Sequence, residues 1–305
     1  MGDASVHDRS PEKGGAQAEL RVKSDVPFYI GLGLLAGTYV LLIVAMLIAE
    51  ASYTTPDHIL KALANEDIRY SIRLSLYSCT VTTILSLWVA VPIGYLMSRH
   101  RFRGKVFVDA VLDIPIVLPP LVIGLCLLIL FQTGVGRGLE GAYVSAGEWV
   151  CEQLSRLTGR TFLPPAGITY QIPAVILAQF MVAAAFAVRT MRVAFDQIDA
   201  RFEDVALTLG CSRGQAFWRV VFPQCRRGML AAGTLAWARS LGEFGPILVF
   251  AGATRGKTEV LSTTVFLELT VGNLEGAVAA SLIMVTAAIV VLVIARVFGL
   301  KRMAL

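Results

Sequence analysis

Six long apolar runs constrain what this chain can fold into more than any other feature of its sequence. The runs are Phe28–Ala49, Tyr70–Ser98, Val106–Phe131, Ile172–Val188, Gly228–Gly252 and Ala277–Phe298. At ~1.5 Å of helical rise per residue, each can cross a hydrocarbon layer of ~30 Å. Lipid offers the backbone no hydrogen-bond partner, so such runs must be helices. The sequence therefore predicts an all-α polytopic membrane protein with six transmembrane helices.

The few charged residues, 16% of the chain against about a quarter in soluble proteins, also orient these helices. If the N-terminus is cytoplasmic, the inner segments hold 18 of the 27 Lys and Arg residues and the outer segments hold 8. Arg239 is the remaining one and lies within a span. Because positive residues collect on the cytoplasmic side, both termini are predicted to be inside. The net charge of +5 reflects this bias and does not indicate nucleic-acid binding.

Polar segments outside the runs divide the chain into parts. The predicted order is a disordered cytoplasmic tail at 1–26, a transmembrane domain at 27–298 and a cytoplasmic tail at 299–305. The domain includes a cytoplasmic loop at 193–227 and a long outer segment at 133–171. In the outer segment, GEWVCEQLSRL (147–157) gathers apolar residues near one face and predicts a short amphipathic helix.

The reactive side chains form no pattern that is typical of an enzyme or a metal site. Five cysteines are scattered along the chain, and three histidines stand at positions 7, 58 and 100, away from one another. We predict no catalytic site, no metal site and no cofactor bound by this chain. The sequence contains no nucleotide-binding motif, so any ATP that drives the protein must be bound by another subunit.

The stretch WARSLGEFGPILVF (237–250) places charges and helix-weakening residues inside an apolar run. Arg239 and Glu243 are four residues apart, on one helix face, and exposing either to lipid would cost at least ~2.5 kcal/mol. Gly242 lies four residues before Pro246, whose ring would crowd its carbonyl. The stretch predicts either a bent helix that lines a water-accessible pathway or a buried ion pair beside a static kink. The residues assigned to the pathway are Pro119, Pro120, Arg239, Gly242, Glu243, Gly245 and Pro246.

The cytoplasmic loop predicts two short helices joined by a tight turn. The first helix covers Arg201–Leu209, Gly210 caps its end, and Ser212 caps the start of the next helix. Pro223 is expected to end that second helix, because proline has no N–H for the helical ladder. An apolar stripe on the first helix predicts either docking into a partner's groove or packing back onto the protein's own helices. The stripe consists of Val205, Ala206 and Leu209.

The spacing within this loop resembles the coupling loop of ABC importer permeases, with consensus E-A-A-x3-G-x9-I-x-L-P. Asp204-Val205-Ala206, Gly210 and Val220-Val221-Phe222-Pro223 occupy the corresponding positions. Asp replaces Glu, Val replaces the first Ala, and Val and Phe replace Ile and Leu, while Glu203 adds a carboxylate one place early. In the family this loop docks into a cleft on the ATP-hydrolysing subunit. The residues that the resemblance assigns to coupling are Glu203, Asp204, Val205, Ala206, Leu209, Gly210 and Pro223.

Two further motifs resemble one branch of that family, the molybdate, tungstate and sulfate permeases. IPIVLPPLVIGLCLLILF (114–131) is similar to the branch's third-span signature, and RSLGEFGPILVFAGATRGKT (239–258) to its fifth-span signature. Gly-Glu-Phe-Gly is closest to the molybdate members, whereas Pro246 departs from the small or apolar residue expected there. The resemblance covers nearly all of residues 69–298 and implies the type I ABC importer permease fold.

The resemblance also implies the partners and the work of the protein. It indicates a multi-pass permease in the lipid of a bacterial or archaeal cytoplasmic membrane, paired with a second permease chain, most simply as a homodimer. An ABC ATPase dimer would bind ATP and Mg, and an extracytoplasmic solute-binding protein would deliver a tetrahedral oxyanion, with molybdate first and tungstate or sulfate next. The alternative is an ion-coupled secondary transporter without an ATPase, a class that often shows inverted repeats and several intramembrane carboxylates.

Overall fold

The described part of the protein is helical throughout. A computed structural model describes residues 26–158 and 164–301, and no strand occurs in those two ranges. The helices before the 193–227 loop are α1 (Val26–Tyr53), α2 (Pro56–Ala64), α3 (Glu66–Arg99), α4 (Lys105–Val117), α5 (Pro120–Gln132), α6 (Gly134–Thr158) and α7 (Ile172–Asp196). Those that follow are α8 (Arg201–Thr208), α9 (Arg213–Ala216), a π-helix (Phe217–Val221), α10 (Phe222–Gln224), α11 (Arg226–Leu241), α12 (Gly245–Phe250), α13 (Leu261–Val271) and α14 (Leu274–Lys301).

The chain divides into two compact units, residues 1–49 and 50–305. In its described part the first unit is the helix that begins at Val26. The disordered tail predicted at 1–26 lies outside the described residues except for Val26. The tail predicted at 299–305 begins as helix, because α14 continues to Lys301, and the rest of it lies outside the described residues.

Four described helices are long and apolar enough to cross a membrane, and they coincide with four of the six predicted spans. The candidates are Phe28–Tyr53, Glu66–Arg99, Ile172–Asp196 and Leu274–Ile294. The third predicted span consists of two helices, α4 and α5, which meet at an angle of 110°. By length and composition the described residues therefore supply four spans, or five if this bent pair counts as one.

The third and fifth predicted spans are not single helices, and the breaks fall at the prolines and glycines. In the third span α4 ends before Leu118, which has an extended backbone and precedes Pro119. A residue before proline avoids the helical region, so the helix must stop there. In the fifth span α11 ends at Leu241 and α12 begins at Gly245, with Pro246 in its first turn, where proline's missing N–H is harmless.

The centre of the second unit is built from α3, α7 and α11, which pack side by side. The inner face of α3 carries small residues at every third or fourth position, and all of them are buried: Ser71, Ser75, Ser78, Thr82, Ser86 and Ala90. At the next position of this stripe a Cβ on Gly94 would lie 2.9 Å from the Cβ of Met191 on α7. Small residues let the helix backbones approach closely, so these three helices form a tight frame for the broken ones.

The segment 133–171 contains one long helix rather than a short one. α6 spans 25 residues and includes the whole of the predicted helix at 147–157. Trp149 and Leu157 on the predicted apolar face are exposed. The Glu140 carboxylate accepts hydrogen bonds from the backbone N–H groups of Ile168 (2.8 Å) and Thr169 (3.2 Å), which ties the chain before α7 to this helix.

Candidate functional site

The two helix breaks lie against each other. A Cβ on Gly124 of α5 would lie 2.8 Å from the Cα of Pro246, so only glycine fits at this contact. At the other end of the contact, a Cβ on Gly245 would lie 3.0 Å from the backbone nitrogen of Leu121 and 3.2 Å from the carbonyl carbon of Pro120. The half-helices α5 and α12 therefore cross with their backbones touching. This contact brings together three of the residues predicted for the pathway, whereas Pro119 caps α5.

Arg239 and Glu243 form the ion pair that their spacing predicts. Arg239 Nη1 lies 2.7 Å from Glu243 Oε1. The Glu243 side chain is 1% exposed and the Arg239 side chain 30%, so the carboxylate is the buried partner. The Arg239 guanidinium also lies 5.7 Å from the ring centre of Phe186, within range of a cation–π contact. The pair joins the end of α11 to the break before α12, an arrangement that suits both a pathway wall and a static brace.

Gly242 has a different role from Gly245. Its φ of −83° is open to any residue, and a Cβ there would come no closer than 3.9 Å to another described atom. The backbone nitrogen of Gly242 reaches only a long bond of 3.4 Å to the Ala238 carbonyl. Gly242 therefore marks where the helical ladder weakens and does not mark a place where helices press together.

A buried amide next to this break was not singled out from the sequence. Gln179 of α7 is 1% exposed, and its amide donates to the backbone oxygen of Ser240 at 3.2 Å. The Thr82 hydroxyl of α3 donates to the other side of the same amide, also at 3.2 Å. A lone Gln within the apolar run Ile172–Val188 was the signal that could have found it. The amide links α3, α7 and α11 one residue from Arg239.

The turn inside the 193–227 loop has the predicted caps. α8 ends at Thr208, one residue earlier than predicted, and Gly210 adopts a φ of +86°. The Ser212 hydroxyl accepts from the backbone N–H of Gln215 at 3.3 Å, and the Gln215 side chain accepts from the Ser212 N–H at 2.9 Å. This reciprocal pair is a capping box, so both cap predictions are confirmed.

The prediction that Pro223 ends the second helix is wrong by one residue. The helix that starts at Arg213 passes through the π-helix and ends after Gln224. In the π-helix the backbone N–H of Phe222 donates to the carbonyl of Phe217, five residues back. Pro223 follows directly after this turn, in the first two residues of α10, and the helix ends one residue beyond it.

The predicted apolar stripe of α8 divides between two sides of the helix. Ala206 is 6% exposed and packs inward, whereas Val205 and Leu209 are 56% and 79% exposed. Phe202, one turn before Val205, is exposed as well, and so is the neighbouring Asp204. The helix thus folds back on the protein through one side and presents an apolar face, Phe202, Val205 and Leu209, through the other. Packing back onto the protein's own helices is therefore confirmed for the side with Ala206, whereas docking of the other side into a partner's groove stays a prediction.

Glu203 lies on the inward side of α8, apart from Asp204. The Tyr95 hydroxyl donates to Glu203 Oε1 at 2.5 Å, and Arg99 Nε lies 3.6 Å from Glu203 Oε2. Arg99 also donates through Nη2 to the backbone oxygen of Ile198, at 2.8 Å. Tyr95 and Arg99 stand at the end of α3, more than 100 residues earlier in the chain, and no local pattern pointed to them.

Comparison with known proteins places these features in a family. Residues 90–303 match the family described as binding-protein-dependent transport system inner membrane component. Over 273 residues the chain is 33% identical to the molybdenum transport system permease protein ModB of Mycobacterium bovis, which covers 88% of this chain and 94% of that protein. Over 255 residues it is 28% identical to the sulfate transport system permease protein CysT of Escherichia coli, covering 83% of this chain and 85% of that protein.

A solved structure shares the fold. The structure of a bacterial ABC transporter involved in the import of the acidic polysaccharide alginate matches with a TM-score of 0.66 at 16% identity, covering 91% of this chain and 96% of that one. The family match extends over most of the chain, and the relatives of known substrate are molybdenum and sulfate permeases. The chain therefore belongs to the binding-protein-dependent ABC importer permeases, in their molybdate, tungstate and sulfate branch.

Proposed function

We infer that the protein is the membrane-spanning subunit of an ATP-driven importer for a tetrahedral oxyanion, with molybdate as the first candidate and tungstate or sulfate as the others. The names of the relatives, molybdenum and sulfate permeases, support this substrate class. Six spans with both termini in the cytoplasm agree with the distribution of 18 inner and 8 outer Lys and Arg residues. The protein acts in the cytoplasmic membrane of a bacterium or archaeon.

The exposed face of α8 is the observation that carries this proposal. Val205 and Leu209 are large apolar side chains more than half exposed on a short helix, with Asp204 beside them. An apolar helix face of this kind fits a hydrophobic groove on a partner. The partner is an ABC ATPase dimer, which binds ATP and Mg and hydrolyses the ATP, while the permease itself is not catalytic.

The crossing of α5 and α12 is the proposed part of the translocation pathway. Both half-helices end within the apolar region, and such ends persist only where protein or water covers them. A second copy of the chain supplies that cover, so that the pathway runs between two permeases. A solute-binding protein delivers the anion from outside. Arg239 and Glu243 stand in the wall of this pathway, and their ion pair changes shape with it.

Reconstitution tests the proposal against an ion-coupled transporter. The permease is co-purified with its ATPase, placed in proteoliposomes with the binding protein, and supplied in turn with labelled molybdate, tungstate and sulfate. We expect uptake that requires ATP inside the vesicles and continues in the presence of a protonophore. Uptake without ATP that collapses with the ion gradient would instead establish the secondary transporter. Replacing Val205 and Leu209 together with Ser should abolish ATP-driven uptake and leave the permease folded.

A further inference from the structure

The end of α3 makes a polar contact with α8 that the coupling loop of the proposed importer does not by itself require. Tyr95 and Arg99 are four residues apart, so their side chains leave the same face of α3 in its final turns. Both side chains meet Glu203, in the first turn of α8. We call these three residues the α3–α8 clamp.

The clamp is shielded from solvent and pairs opposite charges. The Arg99 and Glu203 side chains are only 13% and 12% exposed. The Tyr95 hydroxyl donates a hydrogen bond to one carboxylate oxygen of Glu203, and Arg99 Nε lies 3.6 Å from the other oxygen, within ion-pair distance but beyond a hydrogen bond. Arg99 uses a second nitrogen on the Ile198 carbonyl, in the turn that leads from α7 into α8. One guanidinium thus holds both α8 and the turn that precedes it.

The ring of Tyr95 connects the same point to the helices on either side of α8. It packs edge to face on Phe195, at the end of α7, with ring centres 5.7 Å apart. It packs in the same way on Phe217, the first residue of the π-helix, at 4.8 Å. The segment before α8, the segment after it and α8 itself therefore all converge on this one side chain of α3.

Beside the clamp, the space between α3 and α8 is open. A cavity of about 600 Å³ is bordered there by Leu96 of α3, Leu207 of α8 and Phe217, together with the clamp residues. Helices that face each other across a cavity are not fixed by continuous packing. The hydrogen bond and ion pair of Glu203 are consequently the connection that keeps α8 at a set distance from α3.

We propose that Tyr95, Arg99 and Glu203 form a positioning clamp through which a displacement of α8 moves α3 in the transport cycle. The proposal rests on the importer function above. The turns on either side of α8, at 197–200 and 209–212, are not helical and would absorb part of any displacement sent along the chain. The clamp bypasses these turns. A displacement of α8 is thereby transmitted directly to α3, whose small buried residues pack against α7 and α11.

Uptake per ATP hydrolysed tests the clamp. Glu203→Gln and Tyr95→Phe leave the exposed face of α8 intact, and uptake is divided by the ATP hydrolysis measured in the same assembled complex, so that a change in assembly does not affect the ratio. We expect uptake per ATP to fall at least five-fold in Glu203→Gln and less in Tyr95→Phe, which keeps the ring contacts. The matched controls are Glu66→Gln and Tyr77→Phe, two exposed side chains on α3, and they should behave as wild type. A normal ratio of uptake to ATP in Glu203→Gln would overturn the clamp.

A distance measurement covers the case in which Glu203→Gln does not fold. Spin labels are placed at Trp88 on α3 and Thr208 on α8, both exposed, in a cysteine-free version of the whole importer. With the clamp intact, the distance between the labels should stay within about 2 Å when the ATPase is trapped with vanadate. A larger shift would show that α8 moves independently of α3 and would overturn the proposal. If the unmodified importer shows no ATP-driven uptake, the proposed function itself fails.

Discussion

The turn at Gly210 offers a measurable test of how the coupling helix is positioned. Its φ of +86° belongs to the left-handed region, and a Cβ there would meet no described atom within 4 Å. The cost of adding a side chain is therefore conformational and not steric. For an L-residue such as Ala that cost is about 1–2 kcal/mol. We expect a larger cost for Val, because a β-branched residue in this region is a strong outlier.

This cost converts directly into an affinity for the ATPase. If α8 can dock only when this turn has its native conformation, a conformational cost of about 1–2 kcal/mol lowers the docked population by up to about 5–30-fold. Gly210→Ala should raise the apparent Kd for a fluorescent ATPase subunit by up to that factor, and Gly210→Val by more. The assay uses detergent-purified permease, with near-ultraviolet circular dichroism to check that the variants are folded.

Two variants serve as controls for the same measurement. Gly210→Asn should bind nearly as wild type, because Asn visits the left-handed region readily. Gly214→Ala changes a glycine four residues later, within α9, that has no positive φ and open space around it among the described residues. It should leave the affinity unchanged. Wild-type affinity and uptake in Gly210→Val would refute the reasoning.

Three further predictions concern the helix breaks and the segment that follows α12. Glu243→Gln and Arg239→Gln should each reduce folded yield or uptake, because the remaining charge loses its ion-pair partner. The double variant should recover part of the folded yield, and strictly additive losses would show that the pair is uncoupled. Gly124→Ala should reduce uptake strongly, since its Cβ would come within 2.8 Å of the α12 backbone. Gly141→Ala on α6 is the control, because a Cβ there has open space among the described atoms, and it should leave uptake unchanged. Equal uptake in both variants would contradict the contact between α5 and α12. Burial raises the pKa of the Glu259 carboxyl, between α12 and α13, so ionising this group costs stability as pH rises. The melting temperature of Glu259→Gln should therefore be higher than that of wild type at pH 8, and the difference should close near pH 4. A difference that does not depend on pH would count against this.

The features that sequence analysis predicted are those whose physical causes are local. Gly210 and Ser212 set the turn through their own backbone and side chain, so neighbouring residues sufficed to predict both caps. The breaks at Pro119 and Gly242 also follow from nearby residues. Both spans were expected to bend at these points, and each is instead divided into two helices. Local rules locate a weak point but do not measure how far the chain turns there.

Features that depend on distant parts of the chain were not predictable in this way. Tyr95 and Glu203 are 108 positions apart, and nothing near either residue indicates the other. Gln179 meets Ser240 across 61 positions. The length of α6 was missed for another reason: its first half contains several glycines, each of which costs a helix about 1 kcal/mol, so the sequence favoured a shorter helix.

Because of the π-helix at Phe217–Val221, the number of residues between Gly210 and Pro223 determines how Pro223 is oriented about the helix axis. The π-helix holds one residue more than an α-helical path would need, and each residue turns an α-helix by about 100°. Deleting one residue here would rotate Pro223 and the start of α11 about the helix axis, whichever side chains were kept. The number of residues in this segment therefore fixes the direction in which the residues after it point around the helix axis. In this chain Val and Phe stand where the family consensus has Ile and Leu, while the count from glycine to proline stays the same.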